Sequence, residues 1–134
     1  MLTLAEANQA IAAALARAQR MKMEIAVSVC DEGGRLVAFQ RMDGVFSEAI
    51  PLAIGRAIAA AALRKSSGDK DAFLDLKSVW RVAGAGLPII SGPGGLPIIR
   101  NDQTVGAIGV CGSATDHEHE QCAKAGVEAL DQSR

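Results

Sequence analysis

The sequence predicts an α+β sandwich in which an antiparallel sheet is flanked by helices. Three observations lead to this fold class. The predicted elements run in the order α β β α α β β α, two of the strands surround a glycine pair, and no Rossmann or P-loop signature follows a strand. Strands joined by hairpins, with helices at each end, are typical of α+β proteins rather than doubly wound α/β proteins. We interpret residues 1–134 as a single domain.

The first half of the chain begins with a helix and a hairpin. Thr3 and Glu6 have the spacing of a capping box, which predicts a helix that runs to about Arg20. Residues 25–30 and 36–39 are rich in β-branched and apolar side chains and predict a β-hairpin. The predicted inner face of the helix consists of Leu4, Ala7, Ile11, Ala14, Leu15 and Ala18.

Two further helices are predicted next. Ser47 is the predicted N-cap of an alanine-rich helix over residues 50–65, and Pro51 is tolerated because it lies in the first turn. The Ser-Ser-Gly sequence at 66–68 is expected to end this helix. A shorter amphipathic helix is predicted over residues 70–82.

The second half contains a repeat, a strand and a last helix. Gly-Leu-Pro-Ile-Ile occurs at 86–90 and at 95–99, and its proline favours short extended pieces at a sheet edge, joined by a glycine loop. Residues 104–111 predict a central strand, with glycines where another backbone comes close. A second capping box, Thr115 with Glu118, opens the last helix. Its predicted inner residues are Cys122, Ala125, Ala129 and Leu130.

The composition argues against several functional classes. Of the 134 residues, 49% are hydrophobic and 3% aromatic, and the formal net charge is −1. A near-neutral charge is not typical of proteins that bind nucleic acid or membrane surfaces, and no apolar run is long enough to span a bilayer. Three cysteines without C-x-x-C spacing favour a reducing compartment over a disulfide framework. We therefore expect a cytoplasmic protein without nucleic-acid or membrane partners.

The glycine-rich segment at 91–97 is the first candidate binding site. Glycine permits positive φ and close backbone approach, so the N–H groups of this segment can form a nest for an anion such as a carboxylate. Gly94, Gly95 and Pro97 are its candidate ligand-binding residues. The alternative is a plain turn between two edge strands.

Both histidines lie in the segment His117-Glu118-His119-Glu120 at the start of the last helix. Residues two apart point to different faces of a helix, so the two imidazoles cannot chelate one metal ion together. A helix N-terminus disfavours the imidazolium, and a neutral imidazole can ligate iron or act as a base. His117 and His119 are therefore candidate haem-iron ligands and, with Glu118, candidate catalytic residues if the protein is an enzyme. The alternative is a solvated polar helix start.

Arg41, Asp43 and Arg56 form a third candidate group for ligand binding. Arg41 and Asp43 follow the second predicted strand, where side chains reach the rim of a sheet, and the planar fork of an arginine suits a carboxylate. Arg56 is a basic residue in an otherwise apolar helix and is either a snorkelling residue or a site residue. The alternative for Arg41 and Asp43 is a local surface contact. Cys111 is interpreted as a buried small apolar residue.

These motifs together resemble the GlcG/HbpS family, which includes the C-terminal domain of PduO-type adenosyltransferases. The matching segments are the opening Thr-Leu-x-x-Ala helix, Val27 with residues 31–37, and residues 41–44, 93–98 and 105–110. The resemblance implies a profilin-like α/β/α sandwich, homo-oligomeric assembly and, in several members, binding of haem or another tetrapyrrole. The chain departs from the family pattern at Arg56, where a lysine is common, and at His119, where an acidic residue is usual.

The sequence leaves three functions open. The first is small-molecule binding by a homo-oligomer, with haem as the leading ligand. The second is an isomerase, hydratase or lyase that acts on a small carboxylate held by glycine-loop amides and an arginine. The third is a non-catalytic oligomeric accessory protein. Because aromatic side chains are scarce, the composition favours a compact carboxylate somewhat more than the resemblance alone does.

Overall fold

Helices cover both faces of a four-stranded antiparallel sheet. The structure, a computed structural model, describes residues 1–74, 86, 88–113 and 115–132. The sheet has the strand order β2-β1-β4-β3, and every neighbouring pair is antiparallel. The predicted α+β sandwich is thus confirmed. The elements are α1 (Leu4–Arg20), β1 (Ile25–Asp31), β2 (Leu36–Arg41), α2 (Ala49–Leu63), a 3₁₀ turn (Ala72–Leu74), β3 (Gly95–Arg100), β4 (Gln103–Gly112) and α3 (Asp116–Gln132).

The two faces of the sheet differ in the size of their side chains. The face towards α1 and α3 carries the larger side chains and forms the main core with Ile25, Val27, Val29, Ile108 and Val110. The face towards α2 carries small residues, and Gly109 of β4 lies directly against the backbone of Ala53 in α2. Any side chain at Gly109 would push this helix away. The alanines of α2 and Gly109 of β4 therefore set a short distance between helix and sheet.

The start of α1 confirms the predicted capping box. The Glu6 N–H donates to Thr3 Oγ1 at 3.1 Å, and the Thr3 N–H donates to Glu6 Oε1 at 3.0 Å. The prediction was wrong for Leu4, which is 57% exposed. Leu2, two residues before the start of the helix, is buried instead and lies against Gly106 of β4.

The start of α2 differs from the prediction. Its N-cap is Glu48, without a side-chain capping bond, whereas Ser47 Oγ donates to the Glu48 carboxylate at 3.4 Å. Backbone carbonyls replace the expected hydroxyl, since the N–H groups of Ala49 and Ile50 donate to residues 46 and 47. The helix ends at Leu63, two residues before the predicted end.

The strand predictions for the second half are confirmed in part. β3 is an edge strand that contains the second copy of the repeat, and β4 is central. Residues 88–90 of the first copy are not a strand, because Ile90 packs on Gly55 of α2 and its N–H donates to the Gly55 carbonyl at 3.2 Å. Most of the helix predicted over 70–82 lies outside the described residues.

The last helix begins as the sequence predicts. The Glu118 N–H donates to Thr115 Oγ1 at 3.2 Å, and the Thr115 N–H donates back to Glu118 Oε1 at 3.2 Å. Cys122 and Leu130 are buried, as predicted for the inner face, whereas Ala125 and Ala129 are only half-buried. Within the described ranges, no helix combines the length and the apolar composition needed to cross a bilayer.

Candidate functional site

Arg56 is the centre of a buried polar cluster that connects α2 with the start of α3. The side chain leaves an apolar helix, and the residue is only 8% exposed. Its Nη1 donates to the carbonyl of Val110 at 3.0 Å and lies 3.3 Å from Nδ1 of His119. Its Nη2 lies 3.8 Å from Oδ1 of Asp116. We call Arg56, His119 and Asp116 the Arg56 cluster.

His119 is fixed through both of its ring nitrogens and is 4% exposed. Because a guanidinium can only donate, we assign Nδ1 as the acceptor from Arg56 and place the ring proton on Nε2. Nε2 then donates to the carbonyl of Gly112 at 3.0 Å, and the Gly112 N–H, which lies 3.1 Å from the same nitrogen, cannot donate to it in this tautomer. Burial lowers the pKa of His119, and the charge of Arg56 lowers it further, against the hydrogen bond to Gly112. His119 is therefore neutral at pH 7, and both ring nitrogens are already used.

The glycine loop, which we define as residues 91–95, lies against the Arg56 side chain. Gly92 and Gly94 have φ values of +99° and +134°, which side-chain-bearing residues rarely adopt. A Cβ on Gly94 would lie 3.1 Å from Cδ of Arg56, and a Cβ on Gly95 would run into the Arg56 carbonyl. Glycine is therefore required where the loop packs on the arginine.

Ser67 holds the glycine loop in place through hydrogen bonds, a role that was not predicted from the sequence. Its buried Oγ donates to the Gly92 carbonyl at 2.6 Å and accepts from the Gly95 N–H at 2.8 Å. Its backbone N–H and carbonyl bond to the same two glycines. The N–H groups of Gly92 and Gly95 are thus used within the chain and do not contribute to the predicted nest. Ser67 lies four residues after the end of α2, in a Ser-Ser-Gly sequence that we interpreted only as a helix end.

Arg41 and Asp43 do not join Arg56. They lie at the end of β2, at the opposite edge of the sheet from β3, which is three strand spacings or about 14 Å away. Both are exposed, and no ion pair joins them within the part of the chain that the structure describes. They border a separate recess of about 270 Å³. Pro97 is half-buried inside β3, beyond the glycine loop.

His117 lies on the α1 side of α3 and is exposed. It borders a cleft of about 420 Å³ between the two helices, which we call the α1–α3 cleft. Three cations, Arg17, Arg20 and Lys124, line the same cleft. The other lining residues are Glu120, Gln121, Ala125 and Glu128. The two histidines therefore have different surroundings. His119 is buried and hydrogen-bonded, whereas His117 is exposed in a cleft lined by three cations and two carboxylates.

The remaining candidates have structural surroundings. Hydrogen bonds from Thr115 lower the pKa of Glu118, which is the carboxylate of the helix cap. Cys111 is buried in the layer between β4 and α2, and burial raises the pKa of its thiol. Among the described residues, no three His, Cys, Asp or Glu side chains converge as a metal site.

Comparisons with known proteins agree on one family. The family model for haem degrading protein HbpS-like matches residues 2–128. Protein GlcG of Escherichia coli K12 is 30% identical over 105 residues, which are 78% of this chain and 76% of GlcG. Protein ORFY of Klebsiella pneumoniae matches the fold with a TM-score of 0.83 and 28% identity, covering 96% of this chain and 90% of ORFY. A double mutant of Streptomyces reticuli HbpS matches with a TM-score of 0.82 and 25% identity, covering 95% and 85%. This chain therefore belongs to the HbpS-like family, as the resemblance of its motifs predicts.

Proposed function

We propose that this protein binds haem or a related tetrapyrrole and that His117 is an axial ligand of the iron. The family supports the ligand class, since the matching model is that of a haem degrading protein. The observation that carries the residue choice is the difference between the two histidines. His117 is exposed in a cation-bordered cleft, whereas both nitrogens of His119 are hydrogen-bonded inside the chain.

The side chains of the α1–α3 cleft fit the polar parts of haem. An exposed imidazole can ligate the iron, and one or two such ligands are enough for haem. Arg17, Arg20 and Lys124 can pair with the two propionates through charge-assisted hydrogen bonds. When bound, haem would supply the redox or oxygen chemistry. The chain's residues would hold the iron and orient the macrocycle by its carboxylates.

The cleft of one copy does not cover the apolar faces of a porphyrin. Of its lining residues, only Ala125 is apolar, whereas small-molecule pockets are mostly apolar. We propose that a homo-oligomer supplies the remaining cover. The exposed large apolar side chains support association, and they include Leu4, Leu36, Phe46 and Ile99. The three buried free thiols support a reducing, cytoplasmic location.

An acid–base enzyme receives less support from the same residues. Glu118 is bonded to Thr115 and is ionised, and His119 is neutral and bonded on both sides. Neither group is free to move a proton to or from a substrate in this arrangement. We therefore propose that Glu118 and His119 do not act in acid–base catalysis and that the exposed His117 serves ligand binding.

A haemin titration followed at the Soret band tests this proposal. The wild-type protein is expected to show a saturable shift, and His117→Ala to lower haemin affinity by at least about tenfold. His119→Gln is the matched control in the same helix and is expected to keep the shift. The absence of a saturable shift in the wild type would refute haem binding. An unchanged titration of His117→Ala would refute the ligand assignment alone.

A further inference from the structure

Arg56 is a buried cation with one edge that lacks close hydrogen bonds. Its Nη1 side is satisfied by Val110 and His119. On the other side, Nε is buried and has no hydrogen-bond partner among the described residues. Nη2 lies 3.8 Å from Asp116 Oδ1, beyond hydrogen-bond distance, and the Cys111 thiol also interacts with the guanidinium. Nε and Nη2 form the edge of a guanidinium that binds a carboxylate through two parallel bonds.

Gly92 of the glycine loop lies beside this edge. A Cβ placed on Gly92 would lie 3.6 Å from Nη2 and 4.0 Å from Nε of Arg56, which is ordinary van der Waals contact. Because φ of Gly92 is +99°, a residue with a side chain is disfavoured there, and no Cβ lies between the loop backbone and the guanidinium. Because Ser67 Oγ donates a hydrogen bond to the Gly92 carbonyl, the backbone of Gly92 is held in position beside Arg56.

The charges around the edge favour an anion. Buried charges are normally paired, yet the only carboxylate near Arg56 in the described residues belongs to Asp116, whose side chain is 63% exposed. His119 is neutral and does not compete for an anion. Asp116 stands at the first position of α3 and can turn into solvent, which opens Nη2 to an incoming group.

We propose that the Nε–Nη2 edge of Arg56 is a binding site for a carboxylate, with one carboxylate oxygen at each nitrogen and Gly92 closing the site. The carboxylate belongs either to a small free acid or to the propionate of a tetrapyrrole. The site is separate from His117 and the α1–α3 cleft, and it does not depend on the proposed function.

Side-chain NMR of arginine Nε–H groups tests the site directly. In the wild type, the Arg56 Nε–H resonance is expected to shift saturably with sodium propionate and to stay in place with equal concentrations of sodium chloride or phosphate. A shift of this resonance reports contact at Nε, which a merely structural arginine would not give. No shift with propionate, or an equal shift with chloride or phosphate, would overturn the proposal.

Two variants and two porphyrins complete the experiment. Arg56→Lys keeps the charge but loses the paired donors of the guanidinium. The affinity for propionate, followed at the Gly92 amide resonance, is expected to fall by at least about tenfold. Arg64→Lys, at an exposed arginine after the same helix, should leave that affinity unchanged, and an equal effect of both variants would overturn the assignment. If Arg56→Lys does not fold, the wild-type titration still decides. If zinc protoporphyrin displaces propionate and its dimethyl ester does not, the site takes the propionate of a tetrapyrrole. If neither porphyrin affects propionate binding, the site takes a small free acid.

Discussion

Replacing Ser67 by alanine should loosen the glycine loop without changing the shape of the core. The change removes one oxygen atom, which bonds to the Gly92 carbonyl and the Gly95 N–H. The Gly95 N–H is buried and is left without a partner, whereas the half-buried Gly92 carbonyl can turn towards water. An unsatisfied buried group costs about 1–3 kcal/mol and a lost partly exposed bond about 1 kcal/mol, so the unfolding free energy should fall by about 2–4 kcal/mol.

Urea unfolding at pH 7 measures this difference. The midpoint should fall while the slope with denaturant stays the same, because the folded core keeps its shape. Ser91→Ala is the matched control, since Ser91 is an exposed serine in the same loop and should stay within about 0.5 kcal/mol of wild type. Equal stabilities of the wild type and Ser67→Ala would refute the role given to this hydroxyl.

The other predictions concern close packing, pH and thiol reactivity. Gly109→Ala places a methyl group against α2 and should destabilise the fold by about 3 kcal/mol or more in urea unfolding, whereas Gly33→Ala, which meets only ordinary contacts, should be nearly neutral. Because the folded pKa of His119 lies below its ordinary value of 6.5, the unfolded chain takes up its proton first and stability falls as the pH drops below about 6.5. His119→Gln should weaken this pH dependence between pH 7 and pH 5, and His117→Gln should not. If the stability of both variants depends equally on pH, His119 is not the group responsible. Burial raises the pKa of Cys30 to about 12 and of Cys122 to about 11, so the thiols should resist a disulfide reagent at pH 8 until urea is added; rapid labelling of the native protein would count against this.

Local features of the fold were predictable because the interacting residues are close in sequence. Both capping boxes join residues three apart, at Thr3 and at Thr115. The proline of β3 indicates an edge strand because it lacks an N–H for a second neighbour. The prediction of Ser47 as the N-cap of α2 was wrong for a reason that is also local. Backbone carbonyls of the preceding turn accept the hydrogen bonds that a side-chain cap would have accepted.

The candidate site was less predictable because its contacts join distant residues. Arg56 and His119 are 63 residues apart, and Ser67 reaches Gly92 across 25 residues. Arg41 and Asp43 have the same chemistry as the Arg56 cluster, but the strand order places them at the other edge of the sheet. Periodicity shows that His117 and His119 point to different helix faces, whereas the structure shows which face is buried.

A crystal structure of the protein with haemin bound would test the central claim most directly. If His117 holds haem as proposed, the iron will be ligated by a ring nitrogen of His117 in the α1–α3 cleft, with His119 still hydrogen-bonded to Arg56 and Gly112. Iron ligated by His119, or haem bound away from His117, would contradict it.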